Sequence, residues 1–414
     1  MNILFVHQGF PGQYMRMLQA LVRSGHHRIV GLGMGPRQQT VPAEVTYCSY
    51  GVKRGNTKGI HPLAMETESK VIRAEACANA AHRLHGKGFI PDLICAHPGW
   101  GEALFLKDIW PETPLLSYQE FYYQPKGFDF DFDPQQQLPQ SWLDKAKLRM
   151  KTANLLLNLQ ASDWCVTPTE FQRSTFPQQW QQRISVIHEG INTERACPDA
   201  AVAPLQLPDG TTIRRGDPVV TFVNRRLEPY RGCHTFLRAL PELQRLAPEA
   251  RVVIVGEQKG VSYGAECPSG SWKEVFLKEI EGRYDPSRVH FTDKLAYGPF
   301  LQLLQISAVH VYLTYPFVLS WSLLEAMSSG CAVVGSDTAP VREVIRDGQN
   351  GLLVDFFSPG DLAMAVAELL ADRSKAAALG AAARNHVLKH YRLESCLNHH
   401  LALMALVASG TLKS

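Results

Sequence analysis

Residues 309–337, VHVYLTYPFVLSWSLLEAMSSGCAVVGSD, combine a serine at a helix start with a lone carboxylate inside an apolar helix. The run 309–313 reads as a buried strand, 320–329 as a helix opening at Ser320, Gly330 as its stop, and 332–335 as a second buried strand. The tight turn before the helix aims backbone N–H groups above the sheet. Those donors and the helix dipole favour a bound anion such as phosphate. Glu325 lies within the helix among apolar and small residues. A carboxylate there must be paired or must meet a ligand hydroxyl.

Such a turn needs a rigid frame, and the rest of the chain supplies one. In the first half, 2–6 reads as an apolar strand, 10–12 as a turn, and 13–24 as an amphipathic helix with Met17, Leu18, Leu21 and Val22 on one face and Gly25 as its stop. Strands follow at 29–32, 93–96, 115–117, 165–167 and 185–187, with a long helix at 66–85. This alternation implies a mostly parallel sheet with helices on both faces. Residues 197–218, rich in Pro, Asp and Gly, read as a linker with a short hairpin. The alternation then restarts, with strands at 219–224, 251–256 and 289–292 and helices at 234–246, 273–281, 300–307, 361–371 and 375–390. Two successive doubly wound sheets are the simplest account. Ligands of such sheets sit at the carboxyl ends of the strands, here expected in a crevice between two domains. The expected organisation is a first domain at 1–195, a linker at 196–218 and a second domain at 219–390. A helix in the tail, about 391–414, can pack back onto the first.

Length and composition agree. A chain of 414 residues suggests two cores. Lys and Arg number 42 against 39 Asp and Glu, a net charge of +3, without the basic clustering of a nucleic-acid-binding protein. The nine cysteines are scattered singly, which fits reduced thiols in a cytoplasmic setting. The start, MNILFVHQG, reads as a core strand rather than a signal peptide. No apolar run is long enough to span a membrane.

Three motifs carry a family resemblance. Arg226-Leu227-Glu228-Pro229-Tyr230-Arg231-Gly232 resembles Arg-Leu-x-x-x-Lys-Gly, with Arg231 in the lysine place. LLEAMSSGCAVVGSD is close to LEAMACGxPVVASD. Pro340-Val341-Arg342-Glu343 with Asp347-Gly348-Gln349-Asn350-Gly351-Leu352-Leu353 resembles the run that follows the family's last core strand. Spread in order over 219–355, they make the chain similar to family-4 glycosyltransferases of the two-domain GT-B fold, an α/β architecture of two Rossmann-like sheets facing across a cleft. The first half matches only in outline, through Gly9, Gly12 and the strand order.

The resemblance implies transfer of a sugar from a nucleotide diphosphate sugar, such as a UDP-sugar, to a saccharide, lipid-linked or protein acceptor. It implies retention of configuration and no metal or other cofactor, with polysaccharide biosynthesis as one setting. A departing diphosphate gains charge in the transition state, where fixed cations and aimed N–H dipoles help most. Arg226 and Arg231 are the expected cations, Ser320 and Trp321 the amide donors, and Gly9 and Gly12 a loop allowing close approach. Glu325 is expected to accept from the ribose hydroxyls. Lys294, Leu295 and Gly256 are expected beside the ribose and base. The second domain would bind the nucleotide and the first the acceptor. Where the acceptor is lipid-linked, the basic run of Lys145, Lys147, Arg149 and Lys151 suggests peripheral contact with the inner membrane face.

Two departures stand out. The family's first glutamate, eight positions before the second, is Phe317 here, and the usual Gly-Phe-Gly-Leu turn is Val318-Leu319-Ser320-Trp321. Phe317, Val318 and Leu319 are therefore expected near the donor sugar but cannot bind it in the usual way. The histidine many relatives carry after the strand at 115–117 is absent, and Glu120 stands near its place. His97 follows the preceding strand. Glu120 could orient or deprotonate an acceptor hydroxyl, and His97 could touch the sugar or the leaving phosphate.

Other signals are weaker. The acidic run Asp129, Asp131 and Asp133 carries Pro134 where a calcium loop needs glycine. Gly31, Gly33 and Gly35 imitate a dinucleotide fingerprint, but Pro36 follows where a helix should begin, so a loop is expected. His82 and His85 lack a third metal ligand. Rival functions are a nucleotide-sugar epimerase or phosphorylase on the same fold, or a binding protein without catalysis.

Overall fold

The computed structural model describes residues 1–136 and 141–412, so 413–414 of the expected helical tail lie outside the described residues. The chain folds as two compact units, residues 1–190 with 394–414, and residues 191–393.

The first unit is built on a seven-stranded sheet of β1 (Asn2–Val6), β2 (Arg28–Met34), β3 (Thr46–Tyr50), β4 (Leu93–Ala96), β5 (Leu115–Tyr118), β6 (Trp164–Thr167) and β7 (Ile184–Val186). Its order is β3-β2-β1-β4-β5-β6-β7, and every pairing is parallel. Strands covered on both faces must be apolar throughout, and Ile3, Leu4, Phe5 and Val6 are all fully buried. The helix Met15–Ser24 ends at Gly25 in the left-handed conformation (φ 69°). The helices Met65–Gly86 and Trp142–Ala161 pack on each other, and helix Leu393–Ala408 completes the unit with Leu397 and His400 buried.

Gly31 and Gly33 do not form the expected loop. They belong to β2, and the ring that follows β1 explains them. A Cβ at Gly31 would come within 2.4 Å of Phe10 Cζ, and one at Gly33 within 2.6 Å of Phe10 Cβ. Phe10 is buried against the strand and stacks on Tyr47 with ring centroids 5.7 Å apart. The glycines admit an aromatic ring rather than a dinucleotide.

The second unit begins with an antiparallel hairpin, β8 (Leu205–Gln206) and β9 (Thr212–Ile213). Its six-stranded sheet comprises β10 (Val219–Arg226), β11 (Arg251–Glu257), β12 (Val289–Thr292), β13 (Val309–Tyr312), β14 (Ala332–Ser336) and β15 (Leu352–Val354), in the order β12-β11-β10-β13-β14-β15, all parallel. The run taken to follow the last core strand itself contributes β15. Between β13 and β14 lies the helix Trp321–Ser328. Each sheet reverses its winding once, between β1 and β4 in the first unit and between β10 and β13 in the second. At such a point the loops leaving two neighbouring strands turn apart and leave room for a ligand. Among the described residues no helix is long and apolar enough to cross a membrane.

Candidate active site

In the second unit, β10 shifts register between Val223 and Arg226 and runs into a single helical turn, Pro229–Arg231. Gly232 ends that turn at φ 68°, where a Cβ would lie 2.4 Å from Leu313 Cβ, so only glycine fits. The turn buries Arg231 at the end of the sheet with 6% of its surface exposed. Its Nη1 donates to Thr314 Oγ1 at 2.7 Å, to the Val318 carbonyl at 3.0 Å and to the Tyr312 hydroxyl at 3.2 Å. None of these acceptors is a carboxylate. The Tyr312 hydroxyl also accepts from the Ser320 N–H at 2.8 Å. One tyrosine thus couples the loop after β10 to the helix start after β13.

Beside this network opens a cavity of ≈ 390 Å³ whose lining includes Arg225, Arg231, Lys294, Ser320, Trp321 and Glu325. Glu325 is 6% exposed and accepts from the Tyr297 hydroxyl at 2.8 Å. The guanidinium of Arg195 lies 4.8 Å above the Tyr297 ring.

The sequence-predicted residues divide here. Arg231, Ser320, Trp321, Glu325 and Lys294 share the cavity. Arg226 does not line it; its Nε bonds Glu257 Oε2 at 2.9 Å and its Nη1 the Val261 carbonyl at 3.0 Å, while its neighbour Arg225 faces the space. The Ser320 N–H, expected for a ligand, is spent on Tyr312, and the Ser320 hydroxyl accepts from the Ser322 N–H at 3.3 Å. Leu295 packs on the core formed by Val219, Val253 and Leu303. Gly256 lies where a Cβ would come 3.0 Å from the Asn224 carbonyl. Phe317 is buried against Tyr263 (5.0 Å between centroids) and Tyr230 (5.4 Å), Val318 offers its carbonyl to Arg231, and Leu319 sits in the core.

In the first unit the loops after β1 and β4 bring rings together. His97 stacks on Trp100 at 4.5 Å and on Tyr118 at 5.6 Å, and His7 meets His97 and Trp100 edge-on, each at 5.1 Å. His97 Nδ1 accepts from the Gly99 N–H at 3.2 Å, which assigns its proton to Nε2. That nitrogen is 3.7 Å from Glu120 Oε2, too far for a hydrogen bond, and has no hydrogen-bond partner among the described residues. Gln13 Nε2 donates to Glu120 Oε1 at 3.3 Å, and Gln172 Nε2 holds the Glu120 carbonyl at 2.7 Å. Burial opposes the Glu120 charge, but the His97 ring and the Gln13 amide prevail and hold its carboxyl below the usual range. Gly12 (φ 50°) lies against His7, where a Cβ would be 2.4 Å from the ring; at Gly9 a Cβ would be 3.9 Å away. Burial, then the nearby His97, lowers His7 to about 3, so its imidazole is neutral and can both donate and accept.

The order of strands, the switch points and the cavity at a helix start agree with two family comparisons. Residues 25–196 match the model of the "Glycosyl transferase family 4 group", and residues 207–386 that of "Glycosyl transferases group 1". The chain thus carries a stretch of the family 4 group followed by a group 1 glycosyltransferase domain. Among curated relatives of the chain are a GDP-mannose-dependent alpha-(1-6)-phosphatidylinositol monomannoside mannosyltransferase of Mycolicibacterium smegmatis and a D-inositol 3-phosphate glycosyltransferase of Nocardia farcinica. The first is 27% identical over 54% of this chain and 57% of its own, the second 30% over 50% and 44%. The chain therefore spans about half the length of the curated relatives it matches. Among solved structures, the Anabaena protein HepE in complex with UDP superposes with a TM-score of 0.68 at 16% identity, covering 98% of this chain and 100% of the other. Sucrose-phosphate synthase from Thermosynechococcus elongatus superposes at 0.72 and 16%, covering 99% of each. At that identity the likeness concerns the fold.

Several residues of the candidate site escaped sequence reasoning. Glu228 is 1% exposed and takes hydrogen bonds from the backbone N–H groups of Ser262, Tyr263 and Gly264 at 3.1–3.2 Å. Tyr263 lines the cavity, and Arg231 lies 5.1 Å from its ring. Tyr297, Arg225, His7 and Gln13 were likewise unforeseen. The motif spacing contained Glu228, but its partners lie more than thirty residues on, in a segment without periodicity. Asp131 and Asp133 accept from the backbone of their own loop, at Gly127 and Gln135. Among the described residues no group of three or more His, Cys, Asp or Glu could hold a metal ion, His82 and His85 included.

Proposed function

We propose that this chain transfers a hexose from a nucleotide diphosphate sugar to an acceptor hydroxyl, with retention at the anomeric carbon and without a divalent ion. The observation that carries the reading is Arg231, a guanidinium buried among neutral acceptors and aromatic rings beside a cavity at a helix start. Its hydrogen bonds all go to neutral groups, and the Glu228 carboxylate that acts on it from nearby is itself taken up by backbone amides, so an arriving anion can share the Arg231 field. Arg225, Lys294 and the N-terminus of helix Trp321–Ser328 add to that field, and Glu325 is suited to ribose hydroxyls.

In the reaction the bond from the anomeric carbon to the diphosphate oxygen breaks, and the electron pair leaves with the nucleotide. The same carbon bonds the acceptor oxygen, whose proton passes to a base. Arg231 and the helix start stabilise the leaving charge as it grows. In the first unit Glu120, kept ionised and flanked by the Nε2–H of His97, is the group we assign to orient the acceptor hydroxyl and receive its proton. The relatives' names point to GDP-mannose and the structural neighbour to UDP, so the base is tested rather than assumed. A lipid-linked acceptor fits the name of the first relative, and a phosphorylated inositol that of the second.

Thermal unfolding with UDP, GDP, ADP and CDP tests the nucleotide site, and one of them is expected to raise Tm. Slow release of free sugar from the corresponding labelled sugar nucleotide, unchanged by EDTA, tests transfer chemistry. Binding without any turnover favours the binding-protein reading, and loss of all turnover in EDTA overturns the metal-free mechanism.

A further inference from the structure

We infer that residues 258–271 form a donor-reading loop in which Tyr263 faces the sugar end of the nucleotide sugar, and that Arg226 and Glu228 act as its two clasps. This rests on the nucleotide-sugar reading of the cavity and extends it to the part of the donor being selected.

The clasps are built from the motif at the end of β10. Arg226 grips the near side of the loop, bonding Glu257 at 2.9 Å and the Val261 carbonyl at 3.0 Å. Glu228, two residues on, projects its carboxylate under the loop and collects the N–H groups of Ser262, Tyr263 and Gly264. A buried carboxylate is tolerable when its oxygens are hydrogen-bonded in this way, and three successive amides aimed at it fix the backbone on either side of Tyr263. Gly264 lies on the Tyr230 ring, where a Cβ would be 3.2 Å from Cδ2, so the loop is also pressed down at its centre. At its base Ser271 Oγ donates to the Gln258 carbonyl at 3.1 Å, and Trp272 Nε1 to the Ala265 carbonyl at 3.1 Å.

All this order serves one side chain. Tyr263 is 41% exposed, yet its ring is held between named neighbours, Phe317 at 5.0 Å, Tyr230 at 6.2 Å and the Arg231 guanidinium at 5.1 Å. Glu325, with its Tyr297 bond, lines the same cavity. If Glu325 takes ribose and Arg231 takes phosphate, the ring next to Arg231 lies beyond the phosphates, where the hexose must be. An aromatic face there offers apolar contact to the C–H side of a hexose and a hydroxyl at its rim. Arg226 and Glu228 are positioning residues, and only Tyr263 touches the donor.

The test uses the full chain and calorimetric titration with UDP, UDP-glucose, GDP and GDP-mannose. For the base that the wild type binds, Tyr263→Ala is expected to weaken the sugar nucleotide about tenfold while the free nucleoside diphosphate changes less than about twofold. Tyr263→Phe should recover most of the loss. Glu228→Ala should reproduce the Tyr263→Ala pattern and make 258–271 the first site of limited proteolysis, and Glu228→Gln, which can still accept from the amides, should rescue part of both. Equal losses for sugar nucleotide and nucleoside diphosphate, or none for either, overturn the loop's assignment while the nucleotide site stands. Failure of the wild type to bind any of the four, and ADP and CDP as well, overturns the nucleotide reading itself, and this inference with it.

Discussion

After β1 and β4, the first unit gathers His7, His97, Trp100 and Tyr118, a packed set of rings with one carboxylate at its edge. After β10 and β13, the second gathers Arg231, Tyr312, Thr314 and Ser320, a hydrogen-bonded network around a cation beside a cavity. Both sets occupy the winding reversal of a parallel sheet, so topology alone does not decide what chemistry is done there. The side chains do. Packed rings with an isolated Nε2–H and a carboxylate suit proton movement. A buried guanidinium suits a fixed anion. On the proposed reading, the same scaffold point is put to two different chemical uses.

The comparison breaks first at Arg231. Arg231→Ala leaves three acceptors without their donor and removes the buried charge, so kcat/KM for the sugar nucleotide should fall about 10²–10³-fold. Arg231→Lys should recover only part of it, because one ammonium cannot reach the same three acceptors. A variant with unchanged kcat/KM would remove the distinction between the units.

Glu120→Gln sharpens the other side. It keeps the size and the Gln172 contact to the backbone but loses the charge, and kcat should drop about 10²-fold with little change in KM for the donor. Unchanged turnover on the true substrates would end the assignment of Glu120 as proton acceptor.

The smallest effect concerns His7. Its folded imidazole is held down to about 3 by burial, whereas the unfolded side chain titrates near ~6.5. Between those values the unfolded chain takes up a proton that the native site refuses. Stability is therefore complete above pH ~6.5 and is lost as pH falls through that window. His7→Gln should remove up to about one proton, or about 1.4 kcal/mol per pH unit, from the slope of unfolding free energy between pH 6 and 4. The measurement is denaturant unfolding at several pH values, and an unaltered slope would show that His7 titrates normally.

Much of this was readable before any coordinates. The strand-helix-strand run around Ser320 appears as expected, with the helix trimmed to Trp321–Ser328, because a buried parallel strand and a capped helix carry strong local patterns. The strand Thr46–Tyr50 was not foreseen. It lies at the edge of its sheet with intermediate burial, so its sequence carries no continuous apolar run. Gly31 and Gly33 misled in a different way. Pro36 ruled against a dinucleotide fingerprint, but the loop expected in its place is strand, and only the position of Phe10 shows that the glycines clear space for a ring. Arg226 matches its motif in sequence, but its partners Glu257 and Val261 lie some thirty residues on, and no spacing rule reports them. Sequence patterns encode periodicity and caps well. They encode the meeting of distant loops poorly.

The helix Leu393–Ala408 has a bearing on how the molecule is made. It belongs to the unit formed otherwise by residues 1–190, and it buries Cys396, Leu397, His400 and Met404 there. A ribosome synthesises that piece after the second unit, some two hundred residues after the remainder of its own unit has emerged. The amino-terminal half must wait, with an apolar face unclosed, until translation has passed through the whole of the other unit, and a fragment expressed as residues 1–190 alone would carry that open face permanently.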